Sequence, residues 1–280
     1  MMRASLWRVL VAAALWSCGL ALAASATSSP TGPDSLYLED LTWTELRDRI
    51  QGGATTVLVP IGGTEQNGPH MVLGKHNARV KALAGQIAQA LGHALVAPVM
   101  AYVPEGSIEP PKAHMRFTGT ITIPDAAFEA VLESAARSFR RHGFRDVVFL
   151  GDHGGYQASE QKVAARLNRE WAASGGQPPA RVHAPPEYYQ ASMGGYASWL
   201  AGKGHSRDEI GTHAGLADTS LTLAVDPGLV RMDRLRGQKP GEADGVYGDP
   251  RRATAELGRA GLEQIVARTV ASLRDRLTAR

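Results

Sequence analysis

Strand-type runs alternate with helix-type segments along most of the chain, and this alternation constrains the fold more than any other feature. Four short runs are apolar and rich in β-branched residues, as buried strands are, and they cover residues 55–60, 94–103, 146–151 and 180–185. Helix-type segments separate these runs. Such an alternation predicts βαβ units, and therefore an α/β fold with a mainly parallel sheet flanked by helices.

The helices are predicted from their apolar period and their end signals. The first begins after Thr42, which forms a capping-box pattern with Glu45 and is followed by a glycine pair at 52–53. Further helices are predicted over residues 77–92, 124–143, 156–174, 217–225 and 251–277. Residues 187–210 show no clear period, so we predict an irregular lid or insertion there, whose aromatic residues either cover a site or form an oligomer interface.

The N-terminus has the layout of a secretory signal peptide. Arg3 and Arg8 precede an apolar stretch and a small-residue cleavage pattern, which predicts a signal peptide over residues 1–23. The apolar stretch is shorter than the roughly 20 residues that span a bilayer, so cleavage is favoured over a membrane anchor. A leader over 24–37 is predicted to be flexible, and one domain to cover 38–280. We therefore expect an exported protein, periplasmic or secreted, without stable membrane insertion after cleavage.

Cysteine content and charge exclude several classes of site. Cys18 is the only cysteine and lies in the predicted signal peptide, so we expect neither a disulfide nor a thiolate metal site. Any metal would then be bound by histidine and carboxylate. The formal net charge is only +3 and no basic stripe is present, which argues against a nucleic-acid partner.

Polar residues cluster where the predicted strands end. The stretch "GGTEQNGPH" follows the first strand and "GDHGG" follows the third. In parallel sheets ligands bind at the carboxyl ends of strands, so these clusters mark a candidate site. Imidazole and carboxylate are ligands for zinc, manganese and iron. The candidate side chains are Glu65, His70, His76, Asp152, His153 and His213.

Four sequence blocks, in order, resemble the creatininase family of creatinine amidohydrolase-like proteins. The blocks are "VPIGGTEQNGPHMVLGKH", "FTGTITI", "GDHGGYQ" and "THAGLADTS", and their order and spacing match across nearly the whole mature chain. The resemblance implies a creatininase-type three-layer sandwich and a homo-oligomer. It also implies two divalent metals and hydrolysis of cyclic or linear amides.

The resemblance also implies which residues bind metal. It places a ligand set of one carboxylate and two imidazoles on Glu65, His76 and His153. At Asn67 the family has a histidine, at Leu216 a glutamate, and in place of His76 an aspartate that bridges two metals. An amide is a weak ligand and leucine is none, so the resemblance implies that one metal is retained and the second position is lost, with partial replacement of its ligands by Asp152 or Asp218 left open. We expect zinc or manganese, with iron left open.

The remaining polar residues have predicted roles in catalysis. His213 is the predicted proton shuttle, because an imidazole titrates near neutral pH. Asp218 or Asp152 is predicted to orient an imidazole. Residues that contact the substrate or support the site are predicted at Asn67, His70 and His114.

The function predicted from this reasoning is hydrolysis of a C–N bond, an amide or cyclic amide, in a small molecule. Two alternatives remain open. Two histidines and one carboxylate are also the facial pattern of mononuclear iron enzymes, so the site would suit an oxygenase, isomerase or lyase. The second alternative is a non-catalytic, exported ligand-binding protein with the same fold, because a fold does not determine a function.

Overall fold

The structure is a computed structural model that describes residues 32–174, 179–237 and 239–278. The predicted signal peptide and most of the predicted leader lie outside these residues. Where the leader is described, Ser35 is buried and the carbonyl of Leu36 accepts a hydrogen bond from the Val96 amide. Within the described residues, no helix combines the length and the apolar character that crossing a bilayer requires.

The sheet of the described residues has four strands, and all of them are parallel. They are β1 (Thr56–Ile61), β2 (Ala94–Val96), β3 (Asp146–Gly151) and β4 (Arg181–His183), in the order β2-β1-β3-β4. Every residue of β1 and β3 is buried, as expected for central strands covered on both faces. The predicted α/β fold is confirmed.

Helices cover both faces of this sheet. They are α1 (Trp43–Gln51), α2 (Lys75–Leu91), α3 (Asp125–His142), α4 (Gln157–Ala173), α5 (Pro186–Gln190), α6 (Ala197–Gly202), α7 (Arg207–Ile210), α8 (Leu216–Val225) and α9 (Ala255–Thr278). Side chains alternate along a strand, so Leu58 packs with α2, α8 and α9 on one face. Val57 and Val59 pack with α3 and α4 on the other. The capping box of Thr42 and Glu45 is confirmed.

The second strand is shorter than predicted. The run over 94–103 predicts one long strand, but the ladder of β2 ends at Val96. Pro98 lacks the amide proton that a continuing ladder needs. Beyond it, Met100 forms an isolated parallel bridge with Ile61, so the chain follows β1 without a regular ladder.

The segment over 187–210, predicted to be an irregular lid or insertion, is helical, so the predicted irregularity was wrong; its role as a cover or an interface stays a prediction. It consists of α5, a π-helical turn over Ala191–Tyr196, α6 and α7. Tyr196 and Leu200 are buried in the core, so packing holds helices whose apolar period is too short to recognise in the sequence.

Candidate metal centre

The parallel pairing of β1 with β3 brings the predicted polar clusters together. Ile61 pairs with Gly151, so both strands end at the same edge of the sheet. Glu65 lies in the loop after β1, and Asp152 and His153 directly follow β3. All three therefore reach the same region, as expected from the strand-end rule.

Four side chains at this edge are arranged as a metal site, and we call them the metal cluster: Glu65, Glu105, His114 and His153. Each offers one ligand atom, and the four atoms lie within 4.8 Å of one another. Oε2 of Glu65 is 3.2 Å from Nε2 of His114 and 3.7 Å from Nε2 of His153. Nδ1 of His153 is 3.8 Å from Oε2 of Glu105.

The carboxylates of the metal cluster have unpaired oxygens. Oε2 of Glu65 and both carboxyl oxygens of Glu105 are buried and lack a hydrogen-bond partner among the described residues. Burial and the nearby Glu65 raise the pKa of Glu105 to about 9. Burying a carboxylate without a partner is costly, so the pair needs a proton or a cation. Two carboxylates and two imidazoles form a ligand set that fits zinc or manganese.

The two histidines of the metal cluster are neutral at pH 7. Burial lowers the pKa of His153 to about 4, against the opposing effect of Glu65. Burial also lowers the pKa of His114. A neutral imidazole has a free lone pair for a metal, whereas a protonated one does not. The histidines therefore suit metal binding across the neutral pH range.

His76 lies beside the metal cluster rather than within it. Its Nε2 is 2.8 Å from Oε1 of Glu65, and its Nδ1 is 2.6 Å from Oδ2 of Asp152. Arg79 NH2 lies 3.2 Å from the same Nδ1, so both ring nitrogens of His76 have partners within the protein. The predicted ligand set thus overlaps the cluster at Glu65 and His153, and ligation by His76 stays a prediction.

A second group of charged residues adjoins the metal cluster, and we call Lys75, Arg79, Asp152 and Asp218 the cation cluster. Lys75 Nζ donates to Oδ2 of Asp218 over 2.8 Å. Arg79 donates from NH1 to Oδ1 of Asp218 over 2.9 Å and from Nε to Oδ2 of Asp152 over 2.8 Å. Tyr188 completes the set with a hydroxyl hydrogen bond to Oδ1 of Asp152. The carboxylates here are therefore satisfied by the protein itself.

The electrostatics of the cation cluster keep both aspartates ionised. Burial opposes their ionisation, but Lys75 and Arg79 hold the pKa of Asp218 well below its usual range. Arg79 and His76 lower the pKa of Asp152 in the same way. Asp152 contacts His76, whereas Asp218 contacts the two cations and the amide of Ala214, and the orienting role of either aspartate stays a prediction.

His213 lies in the loop between α7 and α8 and reaches the metal cluster from there. Its Nε2 donates to the carbonyl of Gln66 over 2.9 Å, and its Nδ1 is 3.7 Å from Oε1 of Glu65. Burial and the charge of Lys75 lower the pKa of His213 to about 3. The ring is therefore neutral and weakly basic, unlike the near-neutral imidazole on which its predicted role depends; that role stays a prediction.

Asn67 and His70 brace the loop between β1 and α2. The side-chain amide of Asn67 donates to the carbonyls of Glu65 and Val72. His70 is buried, and its Nε2 is 3.0 Å from the Thr219 hydroxyl. These contacts hold the backbone around Glu65 and place neither side chain in the metal cluster. His114, the third residue of that predicted group, belongs to the cluster.

Sequence reasoning missed Glu105, Lys75 and Arg79. Glu105 follows an extended segment that runs beside β1, so the strand-end rule that selected Glu65 would also have selected it. Lys75 and Arg79 are four residues apart on α2 and share one face of that helix. Their spacing is visible in the sequence, but nothing in it indicates that the face is buried.

Two cavities meet at the metal cluster. One has a volume of about 290 Å³, and its wall includes His114, His153, Tyr189 and Leu221. The other has about 480 Å³ and contains Glu105 with the same two histidines. His114 and His153 therefore border open space on two sides, whereas Oε2 of Glu65 and both carboxyl oxygens of Glu105 are buried behind them. Such concave sites with mixed polar and apolar walls are typical of small-molecule or peptide binding.

Comparison with known proteins identifies the family. The family described as creatininase, creatinine amidohydrolase, matches residues 39–273. The mycofactocin precursor peptide peptidase of Mycolicibacterium smegmatis is 30% identical over 243 residues, which cover 79% of this chain and 83% of that protein. The creatinine amidohydrolase of Pseudomonas putida is 28% identical over 216 residues, which cover 74% of this chain and 78% of that protein.

A solved structure agrees with these sequence relations. A mutant creatininase described as the Zn-Zn type matches with a TM-score of 0.72 and 25% sequence identity. The match covers 87% of this chain and 99% of that one. The predicted creatininase-type architecture is confirmed.

Proposed function

The chain belongs to the creatininase family, and on this premise we propose that it is a metal-dependent hydrolase of a C–N amide bond. One observation carries the proposal: two buried carboxylates with unpaired oxygens face two neutral histidines where two cavities meet. The proposed cofactor is a single divalent ion, zinc or manganese. The proposed ligands are Glu65, Glu105, His114 and His153.

A divalent ion at the metal cluster would supply Lewis acidity towards a carbonyl oxygen and would acidify a water molecule. The chain's own residues do the rest. His76 and Lys75 contact Oε1 of Glu65, so its Oε2 faces the other residues of the metal cluster. Glu105 would hold the ion as a carboxylate and would release its proton to solvent, because burial and Glu65 raise its pKa to about 9.

The cavities provide the binding surface for substrate in this proposal. Tyr189 and Leu221 contribute aromatic and apolar wall beside the histidines in the smaller cavity. His213 lines this cavity, and when its Nε2 donates to the Gln66 carbonyl its Nδ1 is the nitrogen that accepts a hydrogen bond. We propose that this nitrogen orients the substrate N–H or a water molecule, since its low pKa makes it a poor proton carrier at pH 7.

The relatives support hydrolysis of an amide-type bond. One is named a peptidase and another an amidohydrolase, and both names denote cleavage of a C–N bond. The structural relative described as Zn-Zn supports zinc. The small-molecule amide expected from the sequence and a short peptide are therefore the two substrate types to compare.

The test is a hydrolysis screen with the purified mature protein. The protein is stripped with chelator, reloaded with Zn²⁺ or Mn²⁺, and assayed on cyclic amides and short peptides for new carboxyl and amino groups. We expect turnover that disappears with chelator and in Glu65→Gln. A protein that binds metal but hydrolyses none of the panel would favour the non-hydrolytic metal enzyme, and one that binds no metal would overturn the proposal.

We also propose export and homo-oligomerisation for this enzyme. The signal-type sequence over residues 1–23 supports export, and the family resemblance supports an oligomer. N-terminal sequencing of the protein recovered from the periplasm or medium tests the first proposal. Light scattering of the purified protein tests the second, and a monomer would contradict it.

A further inference from the structure

The ammonium group of Lys75 is buried beside the carboxylates of Glu65 and Asp218. We propose that Lys75 occupies a second cation position of this site, and that removing its side chain opens a position for a second divalent ion between Glu65 and Asp218. The proposal rests on the metal-dependent function given above. It assigns to Lys75 a positioning role towards the metal cluster, rather than contact with substrate.

The geometry around Lys75 is that of a bound cation. The side chain is fully buried, and Nζ is 2.8 Å from Oδ2 of Asp218 and 3.7 Å from Oε1 of Glu65. Lysine is almost never fully buried unless it is paired, because desolvating an ammonium group is costly. The two carboxylates that offset this cost come from different loops and helices, so Lys75 joins the metal cluster to the cation cluster.

The position of Lys75 in the fold favours an electrostatic role. It is the first residue of α2, and no acidic residue occupies the first turn of that helix. A cation at a helix N-terminus meets the positive end of the helix dipole, which is unfavourable. The helix dipole therefore does not stabilise Lys75 at this position. The carboxylates of Glu65 and Asp218, which lie outside α2, stabilise the lysine instead.

The formal charges at the site balance when one divalent ion is bound. The four carboxylates at the site belong to Glu65, Glu105 and Asp152, which are buried, and to Asp218, whose side chain is 17% exposed. When all four are ionised, Lys75 and Arg79 leave two negative charges, which one divalent ion balances. Without Lys75 three negative charges remain, Oδ2 of Asp218 keeps only the amide of Ala214 as a donor, and Oε1 of Glu65 keeps its contact with His76 but loses the nearby ammonium group. Arg79 cannot take over, because its guanidinium is already bonded to both aspartates.

The experiment counts metal ions per chain. Full-length mature protein is stripped with chelator and titrated with Mn²⁺ by calorimetry, and bound metal is measured after gel filtration. The variants are Lys75→Ala, the double variant Lys75→Ala with Asp218→Asn, and Lys81→Ala. Lys81 lies on the same helix with an exposed side chain, so it is the matched control for losing a lysine.

We expect about one ion per chain in the wild type and in Lys81→Ala. Lys75→Ala should take up a second ion, at least about tenfold weaker because the proposed arrangement assigns only two protein ligands, Glu65 and Asp218, to that position. The double variant should return to one. A folded Lys75→Ala that still binds one ion, or a wild type that already binds two, would overturn the inference while leaving the metal-dependent function intact.

A second variant keeps the inference testable if Lys75→Ala does not fold. Asp218→Asn alone should keep one Mn²⁺ per chain, because Asp218 is paired with Lys75 and Arg79 rather than with metal. Loss of an ion in Asp218→Asn would show that Asp218 is a ligand and would overturn the inference. A wild type that binds no Mn²⁺ would instead overturn the proposed function.

Discussion

The metal cluster and the cation cluster lie side by side, and each contains two carboxylates that are buried or largely buried. In the cation cluster, lysine, arginine and tyrosine donors satisfy Asp152 and Asp218. In the metal cluster, Glu65 and Glu105 keep unpaired oxygens. Burial of carboxylates therefore does not by itself make a metal site. What distinguishes the metal cluster is that Oε2 of Glu65 and both oxygens of Glu105 lack a donor among the described residues, which leaves the position between them open for an ion.

Glu65 belongs to both environments and links them. Its Oε1 faces His76 and Lys75, while its Oε2 faces His114 and His153. Burial opposes its ionisation, but His76 and Lys75 hold the pKa of Glu65 well below the usual range. Glu65 is thus ready to bind a cation, whereas Glu105 must first lose a proton.

The largest effect on hydrolysis is expected from removing the negative charge of Glu65, which contacts residues of both clusters. Glu65→Gln replaces an ionised ligand with a weak one and leaves Lys75 short of a partner. Hydrolysis should fall on the order of a thousandfold or more, since several kcal/mol of charge stabilisation by the ion are lost. Steady-state rates and metal content measure this together. A variant that retains both near wild-type levels would contradict the assigned ligand.

Removing the cation that bridges the two aspartates should mainly affect stability. Arg79→Met leaves Asp152 and Asp218 buried and partly unpaired, which should cost about 3–5 kcal/mol of unfolding free energy. Denaturant unfolding measures the difference. Arg137→Met is the matched control, because Arg137 makes its ion pairs with Glu133 and Glu170 at the surface and should change stability far less. Equal losses in the two variants would contradict the comparison.

The raised pKa of Glu105 makes metal binding depend on pH. Below pH 9 the ion must displace a proton from this carboxyl, so affinity should rise with pH and level off above about 9. Burial keeps the pKa of His153 near 4, so that ring adds no proton release at neutral pH. Calorimetry in buffers of different ionisation enthalpy counts the protons released.

Glu105→Gln tests this assignment. It should bind the ion roughly 10–100-fold more weakly and release about one proton fewer than the wild type at pH 7. His142→Gln, a histidine at the end of α3, serves as a control for an unrelated titratable group. Unchanged proton release in Glu105→Gln would mean that the released proton comes from another residue.

The smallest expected effect concerns a neutral donor of the cation cluster. Tyr188→Phe removes the hydroxyl that donates to Oδ1 of Asp152 over 2.9 Å. Losing a hydrogen bond to a buried charge should cost about 1.5–3 kcal/mol, which thermal or denaturant unfolding resolves. Tyr189→Phe is the neighbouring control, since its hydroxyl makes no hydrogen bond within the described part of the chain. A smaller loss in Tyr188→Phe than in Tyr189→Phe would contradict the role of Tyr188.

Much of the fold follows from local patterns in the sequence. The apolar runs of β1 and β3 are long, β-branched and buried on both faces, so they are recognisable without tertiary information. Their register also places Glu65, Asp152 and His153 at one edge of the sheet. The helices over 187–210 were missed because their stability depends on buried residues such as Tyr196 rather than on a long apolar period.

The composition of the site depends on contacts that sequence patterns do not reveal. His76 is a plausible ligand by type and spacing, yet its two nitrogens contact Glu65 and Asp152. Glu105 and His114 come from a long loop whose path cannot be deduced from local preferences. Ligand residues could therefore be listed by chemistry from the sequence, but their grouping required the three-dimensional arrangement.

The central claim is that the metal cluster, and not His76, binds the ion. The most direct measurement is the metal content per chain of the wild type beside Glu105→Gln and His76→Gln, each reloaded with Zn²⁺ and passed through gel filtration. We predict about one zinc ion in the wild type and in His76→Gln, and little in Glu105→Gln. Zinc lost from His76→Gln but kept by Glu105→Gln would contradict the claim and restore the ligand set predicted from the sequence.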